Sequence, residues 1–158
     1  MFKIIIPSYR RPHIINIYVI AFLKKYDLLE DIYIFTPQTE LYKKTIDKNL
    51  NIKIIKCPVG LINARNFISE YFEEGERLLI LDDDIKDILT DVDDIKKELI
   101  KSFKFMDKYK ISLGSINPTG NPYFRSNQYK IGLFLCVGCF YFMINKKHIV
   151  LRYFTDEK

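Results

Sequence analysis

The run Leu78-Leu79-Ile80-Leu81-Asp82-Asp83-Asp84 decides how the rest of the chain is read. Four aliphatic residues in succession fit a strand buried on both faces, and such strands belong to sheets covered by helices on both sides. Three carboxylates directly after it repel one another and lose hydration, so they need a compensating cation or strong hydrogen bonds. A hard divalent ion, Mg²⁺ or Mn²⁺, is the natural partner. It takes oxygen ligands from one or two carboxylates and fills its shell with substrate phosphates. Residues one and three of an extended triplet point the same way, so Asp82 and Asp84 are expected to share the metal. A solvated run near a helix N-terminus is the competing reading. It suits Asp91, Asp93 and Asp94 better than a triplet that follows so apolar a strand.

Upstream, strands and helices alternate. Phe2–Ile6 is a short apolar run stopped by Pro7 and reads as a buried strand. His13–Tyr26 follows Pro12, is apolar nearly all round, and predicts a heavily covered helix. Asp31–Thr36 is a second strand, Thr39–Asp47 a short basic helix, and Ile52–Ile55 a third strand ended by Cys57-Pro58. Gly60-Leu61-Ile62-Asn63-Ala64-Arg65-Asn66 leads into a helix with Ala64, Phe67, Ile68, Tyr71 and Phe72 at helical spacing, closed by Gly75. Downstream of the triplet, Val92, Ile95, Leu99, Phe103 and Met106 step along another helix, with Thr90 and Asp93 as a capping box. Ile111–Ile116 is a fifth strand, and Tyr129–Ile144 supplies further strand.

Strands separated by such helices imply β-α-β units and a largely parallel sheet. Ligands of these sheets bind beyond the carboxyl ends of the strands. Pro7-Ser8-Tyr9-Arg10-Arg11-Pro12 follows strand one and the Gly60–Asn66 segment follows strand three. Two basic loops are therefore expected to face one acidic triplet. Arg65 near a helix start can reach a phosphate, and the helix dipole adds to it. Asn63 can hydrogen-bond a base or a hydroxyl. Ser8 and Arg10 follow strand one, where a nucleotide usually sits; Arg11 divides evenly between site and plain surface charge. Neither G-x-G-x-x-G nor G-x-x-x-x-G-K-[ST] occurs, so the dinucleotide-binding and P-loop classes lose their main support.

Composition is compatible with this and adds bounds. At 158 residues, the chain is expected to be one domain spanning 1–158 with a core of its own. With 48% hydrophobic and 28% charged residues, global disorder, collagen and coiled coil are excluded. The net charge of +5 permits an anionic partner without requiring one. The only alanines are Ala21 and Ala64, amid abundant Ile, Lys and Asn, which reads as the coding bias of an AT-rich genome. The N-terminal apolar run is too short for a signal peptide. The longest apolar stretch, Ile131 to Ile144, contains Gly132 and Gly138 and falls short of the ~20 residues that span a bilayer. A cytoplasmic protein without a membrane span is expected, in the host cytoplasm if viral. Three cysteines argue against a disulfide framework. Cys136 and Cys139 form a C-x-x-C inside an apolar run, where buried small residues are the better reading than a redox pair or a zinc site.

Ile6-Pro7-Ser8-Tyr9-Arg10-Arg11-Pro12, then Gly60-Leu61-Ile62-Asn63-Ala64-Arg65-Asn66, then Leu78-Leu79-Ile80-Leu81-Asp82-Asp83-Asp84-Ile85 together resemble the nucleotide-sugar half of a GT-A fold glycosyltransferase. The resemblance covers Met1 to about Tyr153. It is strongest to large-virus and phage glycosyltransferase domains, among them the N-terminal domain of a chlorella virus enzyme and the TET-associated glycosyltransferases. The aspartate triplet alone is weakly specific; the three segments in this order are more so.

The resemblance implies an α/β, Rossmann-like, mostly parallel central sheet flanked by helices, with a small antiparallel strand addition near the C-terminus. It implies sugar transfer from a nucleoside diphosphate sugar, UDP-sugar favoured, to a hydroxyl of a glycan, a protein or a modified DNA base. Pro7, Ser8 and Arg10 would line base and ribose, Arg65 would contact ribose or diphosphate, and Asn63, Asp82 and Asp83 would complete the nucleotide-sugar site. Asp84 would bind Mn²⁺ or Mg²⁺ directly, with Asp82 on the metal or the ribose. One departure matters. Inverting members place a catalytic carboxylate late in the domain, before a closing helix. Here Asp156 and Glu157 are the only late acidic pair and no closing helix follows. Either Asp156 is the base or the base lies beyond residue 158, and a truncated or minimal domain is expected. The loop Asn117 to Gln128, with Tyr123, Phe124 and Arg125, is a possible acceptor loop or an ordinary surface loop.

Two rivals remain. A haloacid-dehalogenase-type phosphatase would use Asp82 as nucleophile and Asp84 as acid, but Lys86 stands where that motif wants Thr or Val, and the triplet follows strand four. A binding module would hold a nucleotide or nucleic acid without turnover, with the Lys-rich helix Ile95–Lys110 as contact surface or simply as a solvated face.

Overall fold

The structure is a computed structural model and describes residues 1–88, 90, 92–116, 129–132 and 139–148. Its centre is a six-stranded sheet in the order β3-β2-β1-β4-β6-β5. The strands are β1 (Lys3–Pro7), β2 (Ile32–Thr36), β3 (Ile52–Lys56), β4 (Arg77–Leu81), β5 (Leu113–Ser115) and β6 (Phe140–Ile144). β1 pairs in parallel with both β2 and β4, and β2 pairs in parallel with β3. β6 runs antiparallel between β4 and β5. This is the α/β, mostly parallel sheet with a C-terminal antiparallel addition expected of a GT-A-like fold.

Two cores follow from strand alternation. Ile4, Ile6, Leu79, Leu81, Phe140 and Phe142 point to one face. There they meet Ile15, Val19, Phe22 and Leu23 from one helical segment and Leu99, Phe103 and Met106 from another. Ile5, Tyr33, Phe35, Leu78, Ile80 and Tyr141 point to the other face, against Ala64 and Ile68. The sheet is thus sandwiched, as its continuous aliphatic strands require.

The first helical segment lies where expected but is not uniform. α1 (Pro12–Ile14) passes through a π-helical stretch, Ile15–Ile20, into α2 (Ala21–Lys25). α3 spans Thr39–Thr45 and α4 spans Leu61–Tyr71. α4 stops at Tyr71, with Phe72 already extended. Gly75, expected to end it, serves the turn before β4 at φ +84°.

α5 spans Ile95–Tyr109. The expected capping box is replaced by Asp94, whose carboxylate accepts the Lys97 N–H at 2.9 Å. The Thr90 hydroxyl oxygen instead accepts the Val92 N–H, so the chain turns before the helix begins and Val92 stays outside it, exposed. β5 keeps three of its six expected residues. Of the Tyr129–Ile144 run, residues 129–132 are not strand, 133–138 lie outside the described residues, and Phe140–Ile144 is β6.

β4 is anchored at its start by an ion pair between Lys3 and Glu76. The hydrogen bond from Lys3 holds the Glu76 carboxyl below its ordinary value of 4.5. A carboxylate lowered in the folded state stabilises it above the unfolded pKa and loses that contribution as pH falls through the folded one. The stability deficit of Glu76→Gln, read from urea midpoints, should therefore be full at neutral pH and shrink on acidification below 4.5. A gap independent of pH would refute it.

Candidate functional site

Parallel pairing of β1 with β4 brings the residues after Pro7 beside those after Leu81. β4 stops at Leu81. Asp82 is kept close to β6 by its N–H, which donates to the Cys139 carbonyl at 2.8 Å, and the chain then turns at Asp83 and Asp84. The turn splits the triplet. Asp83 faces inward and is 2% exposed, Asp82 is half-buried, and the Asp84 side chain is 53% exposed.

Asp83 is held within the protein. Its Oδ2 accepts the Ser8 hydroxyl at 2.6 Å, and Ser8 Oγ lies 2.6 Å from the Tyr42 hydroxyl. Since Ser8 gives its proton to Asp83, Tyr42 must donate to Ser8. The Tyr42 oxygen in turn accepts the Arg11 N–H at 3.2 Å. The expected nucleotide contacts Ser8 and Asp83 are therefore joined to each other in a chain that knits the β1 loop to the β4 turn.

Arg11 supplies the charge. Its Nη2 lies 2.7 Å from Asp83 Oδ1 and its Nη1 lies 3.3 Å from Asp84 Oδ2. The Asp83 contact is an ion pair without hydrogen-bond alignment, so Oδ1 keeps no hydrogen-bond partner. Burial pushes the Asp83 carboxyl above the usual carboxylate range, against the opposing pull of Ser8 and Arg11. Burial also raises Asp82. The Arg65 guanidinium opposes that shift, and the Asp84 and Asp83 carboxylates add to it. Arg65 lies 5.1 Å from the Tyr141 ring centroid, and its Nε is buried without a hydrogen-bond partner.

Among the described residues, Pro7, Arg10 and Asn63 take no part in these hydrogen bonds and ion pairs. Pro7 is the last residue of β1, half-buried and paired with Phe35. Arg10 is exposed, takes φ 60°, and stacks on Tyr9 at 4.9 Å. Asn63 is exposed and donates to the Val59 carbonyl at 3.0 Å. Asp156, the loop Asn117 to Gln128 and Cys136 lie outside the described residues; Cys139 is exposed.

Sequence reasoning undervalued Arg11 and missed Tyr42 and Tyr141. The usable signal for Arg11 was Pro12. A proline opening a helix makes its predecessor the N-cap, and a left-handed residue before that turns Arg10 outward.

Among the described residues, no group of three or more His, Cys, Asp or Glu is placed to hold a metal ion. With Asp83 engaged by Ser8, the oxygen donors left are Asp82 and Asp84. Two carboxylates suit a hard divalent ion whose shell is completed by phosphate and water, not a caged one. The donor set therefore fits Mn²⁺ or Mg²⁺ arriving with a diphosphate.

No protein family model and no curated protein matches the sequence. Among solved structures, the chain is similar to S. aureus TarS at 21% identity and a TM-score of 0.45, over 77% of this chain and 23% of that one. The 1–349 portion of S. aureus TarS aligns at 22% and 0.44, over 77% and 38%. The apo-form glycosyltransferase GlyE of Streptococcus pneumoniae TIGR4 aligns at 15% and 0.36, over 92% and 34%. The chain spans less than two fifths of each of these proteins. Likeness this distant says nothing about chemistry. No helix among the described residues is long and apolar enough to cross a membrane.

Proposed function

We propose that this chain is the donor-binding part of a metal-dependent glycosyltransferase, taking a nucleoside diphosphate sugar, UDP-sugar favoured, and passing the sugar to a hydroxyl acceptor. The observation that carries this reading is the gathering of Arg11 and Arg65 around the half-buried Asp82 and the exposed Asp84 at the joint carboxyl end of β1 and β4, where Arg11 already contacts Asp84. Asp82, with its raised proton affinity beside Asp84, is poorly compensated by protein groups alone, and a bound cation relieves both carboxylates.

Asp82 and Asp84 would hold Mn²⁺ or Mg²⁺. When bound, the ion supplies Lewis-acid stabilisation of a leaving diphosphate. Arg65 and Arg11 add fixed positive charge where negative charge develops. Ser8, held between Tyr42 and Asp83, fixes the β1 loop on which the nucleotide would rest. In the transfer, the bond from the anomeric carbon to the diphosphate oxygen breaks and the diphosphate leaves with the electron pair. The acceptor oxygen bonds the anomeric carbon and its proton passes to a base, the role proposed for Asp156.

A thermal-shift panel of nucleotide sugars, with and without Mn²⁺, tests the reading. A donor present at a hundred times its Kd should add about 2.7 kcal/mol, or roughly 5–10 °C in a chain of this size, and only with the metal. If no nucleotide sugar raises Tm with or without Mn²⁺, the donor-binding reading fails.

A further inference from the structure

α5 buries Ile95, Leu99, Phe103 and Met106 along one side. At 100° per residue, the opposite side carries Lys97, Lys101, Lys104 and Lys108, spaced four, three and four apart. They form a straight stripe about 16 Å long. All four are exposed. Lys101 pairs with Glu98; among the described residues, Lys97, Lys104 and Lys108 take part in no ion pair. Glu98 and the exposed N-cap Asp94 offset Lys101 in part, at the start of the stripe, while Asp107 on the flank is held by Arg77 at 2.5 Å.

Apolar side chains stand out of the surface on both sides of the lysines. On one side Tyr129 stacks on Phe105 with centroids 4.2 Å apart, which seats the 129–131 segment against the helix. Tyr129 is 51% exposed and Ile131 56%. On the other side Ile100 is 39% exposed and lines an apolar cavity of about 210 Å³ with Phe2, Leu28 and Phe103, beside Arg77 and the Lys96–Glu30 ion pair.

We propose that the outer face of α5 is a peripheral docking surface for an anionic lipid bilayer. The lysine stripe supplies the charge complement. A straight row of ammonium groups on a helix can meet a plane along its whole length, and Lys, a point charge, suits headgroups that need no planar recognition. Exposed Tyr129 and Ile131 on one side of the lysines, and Ile100 on the other, would reach the headgroup boundary. A phosphate backbone would use the lysines but has no use for two protruding isoleucines, which decides against a nucleic acid. The proposal does not depend on the donor-site reading.

Vesicle co-sedimentation of the full chain tests it. Neutral phosphatidylcholine vesicles are compared with vesicles containing about a third phosphatidylglycerol, at low and high salt. The chain should bind the anionic vesicles, weakly or not at all the neutral ones, and lose affinity with salt. One unit of charge near an anionic surface is worth about a fivefold change, and K97E/K104E shifts four units, so it should weaken partition by roughly several hundredfold. Its thermal midpoint and nucleotide-sugar response should match the wild type, because both sites are exposed and lie on α5. Ile131→Ser should lower vesicle binding a few-fold at high salt, where the charge contribution is screened. Equal binding to neutral and anionic vesicles, or no binding to either, would overturn the proposal. So would charge-dependent binding to a short DNA duplex without vesicle binding.

Discussion

Asp84→Asn should remove the Mn²⁺-dependent part of nucleotide-sugar binding and lower transfer by at least a hundredfold. Asp84 is the cleanest probe of the proposed metal. Its side chain is half exposed, and its ion pair among the described residues, with Arg11 at 3.3 Å, is a surface contact worth little to folding. The variant should therefore keep its thermal midpoint. Asp82→Asn should give the same loss of metal dependence, but it also relieves a half-buried carboxylate and so changes stability as well. Isothermal titration of Mn²⁺ in the presence of nucleoside diphosphate reads the binding directly. Undiminished metal dependence in Asp84→Asn would sink the metal assignment while leaving nucleotide binding open.

Asn145→Ala should cost about 3 kcal/mol, or roughly 6–12 °C in Tm. Asn145 follows β6 and is fully buried. Its two amide N–H groups are shared among the carbonyls of Ser69 and Phe72 at 2.8 Å and of Glu73 at 3.1 Å, which closes the last turn of α4 and the segment after it. Its oxygen accepts the Ser69 hydroxyl at 3.1 Å. Alanine would leave those groups without partners inside the protein. Ser69→Ala removes only the hydroxyl side of the arrangement and should cost about 1 kcal/mol. Equal losses in the two variants would show that the amide does not cap α4.

Most of the sheet was legible because its strands are short aliphatic runs with turn residues between them. The pairing of the β1 loop with the triplet was legible too, since parallel strands put their carboxyl ends together. Which arginine of Arg10-Arg11 turns inward was half legible: Pro12 marks Arg11 as the helix N-cap, but no residue type announces the left-handed backbone that turns Arg10 outward. The extended-triplet reading also stopped short. The strand ends at Leu81, so Asp83 turns under the loop to Ser8 instead of simply alternating. The π-helical stretch Ile15–Ile20 is hidden for a related reason. A segment apolar nearly all round tolerates a change of helical register without exposing a polar side. Asn145 looked like an ordinary polar residue after a strand, since its carbonyl partners lie about seventy residues earlier in the chain.

The placement of β6 beside β4 has a consequence during synthesis. Phe140, the partner of Leu81, leaves the ribosome roughly sixty residues after it, about 3 to 12 s later at ordinary elongation rates. Throughout that interval β1, β2 and β3 can assemble with β4, while β4 presents an open edge of four consecutive aliphatic residues. Such an edge is a template for pairing with another chain. The nascent protein is therefore most exposed to misassembly, and to capture by chaperones, between the emergence of Leu81 and that of Ile144.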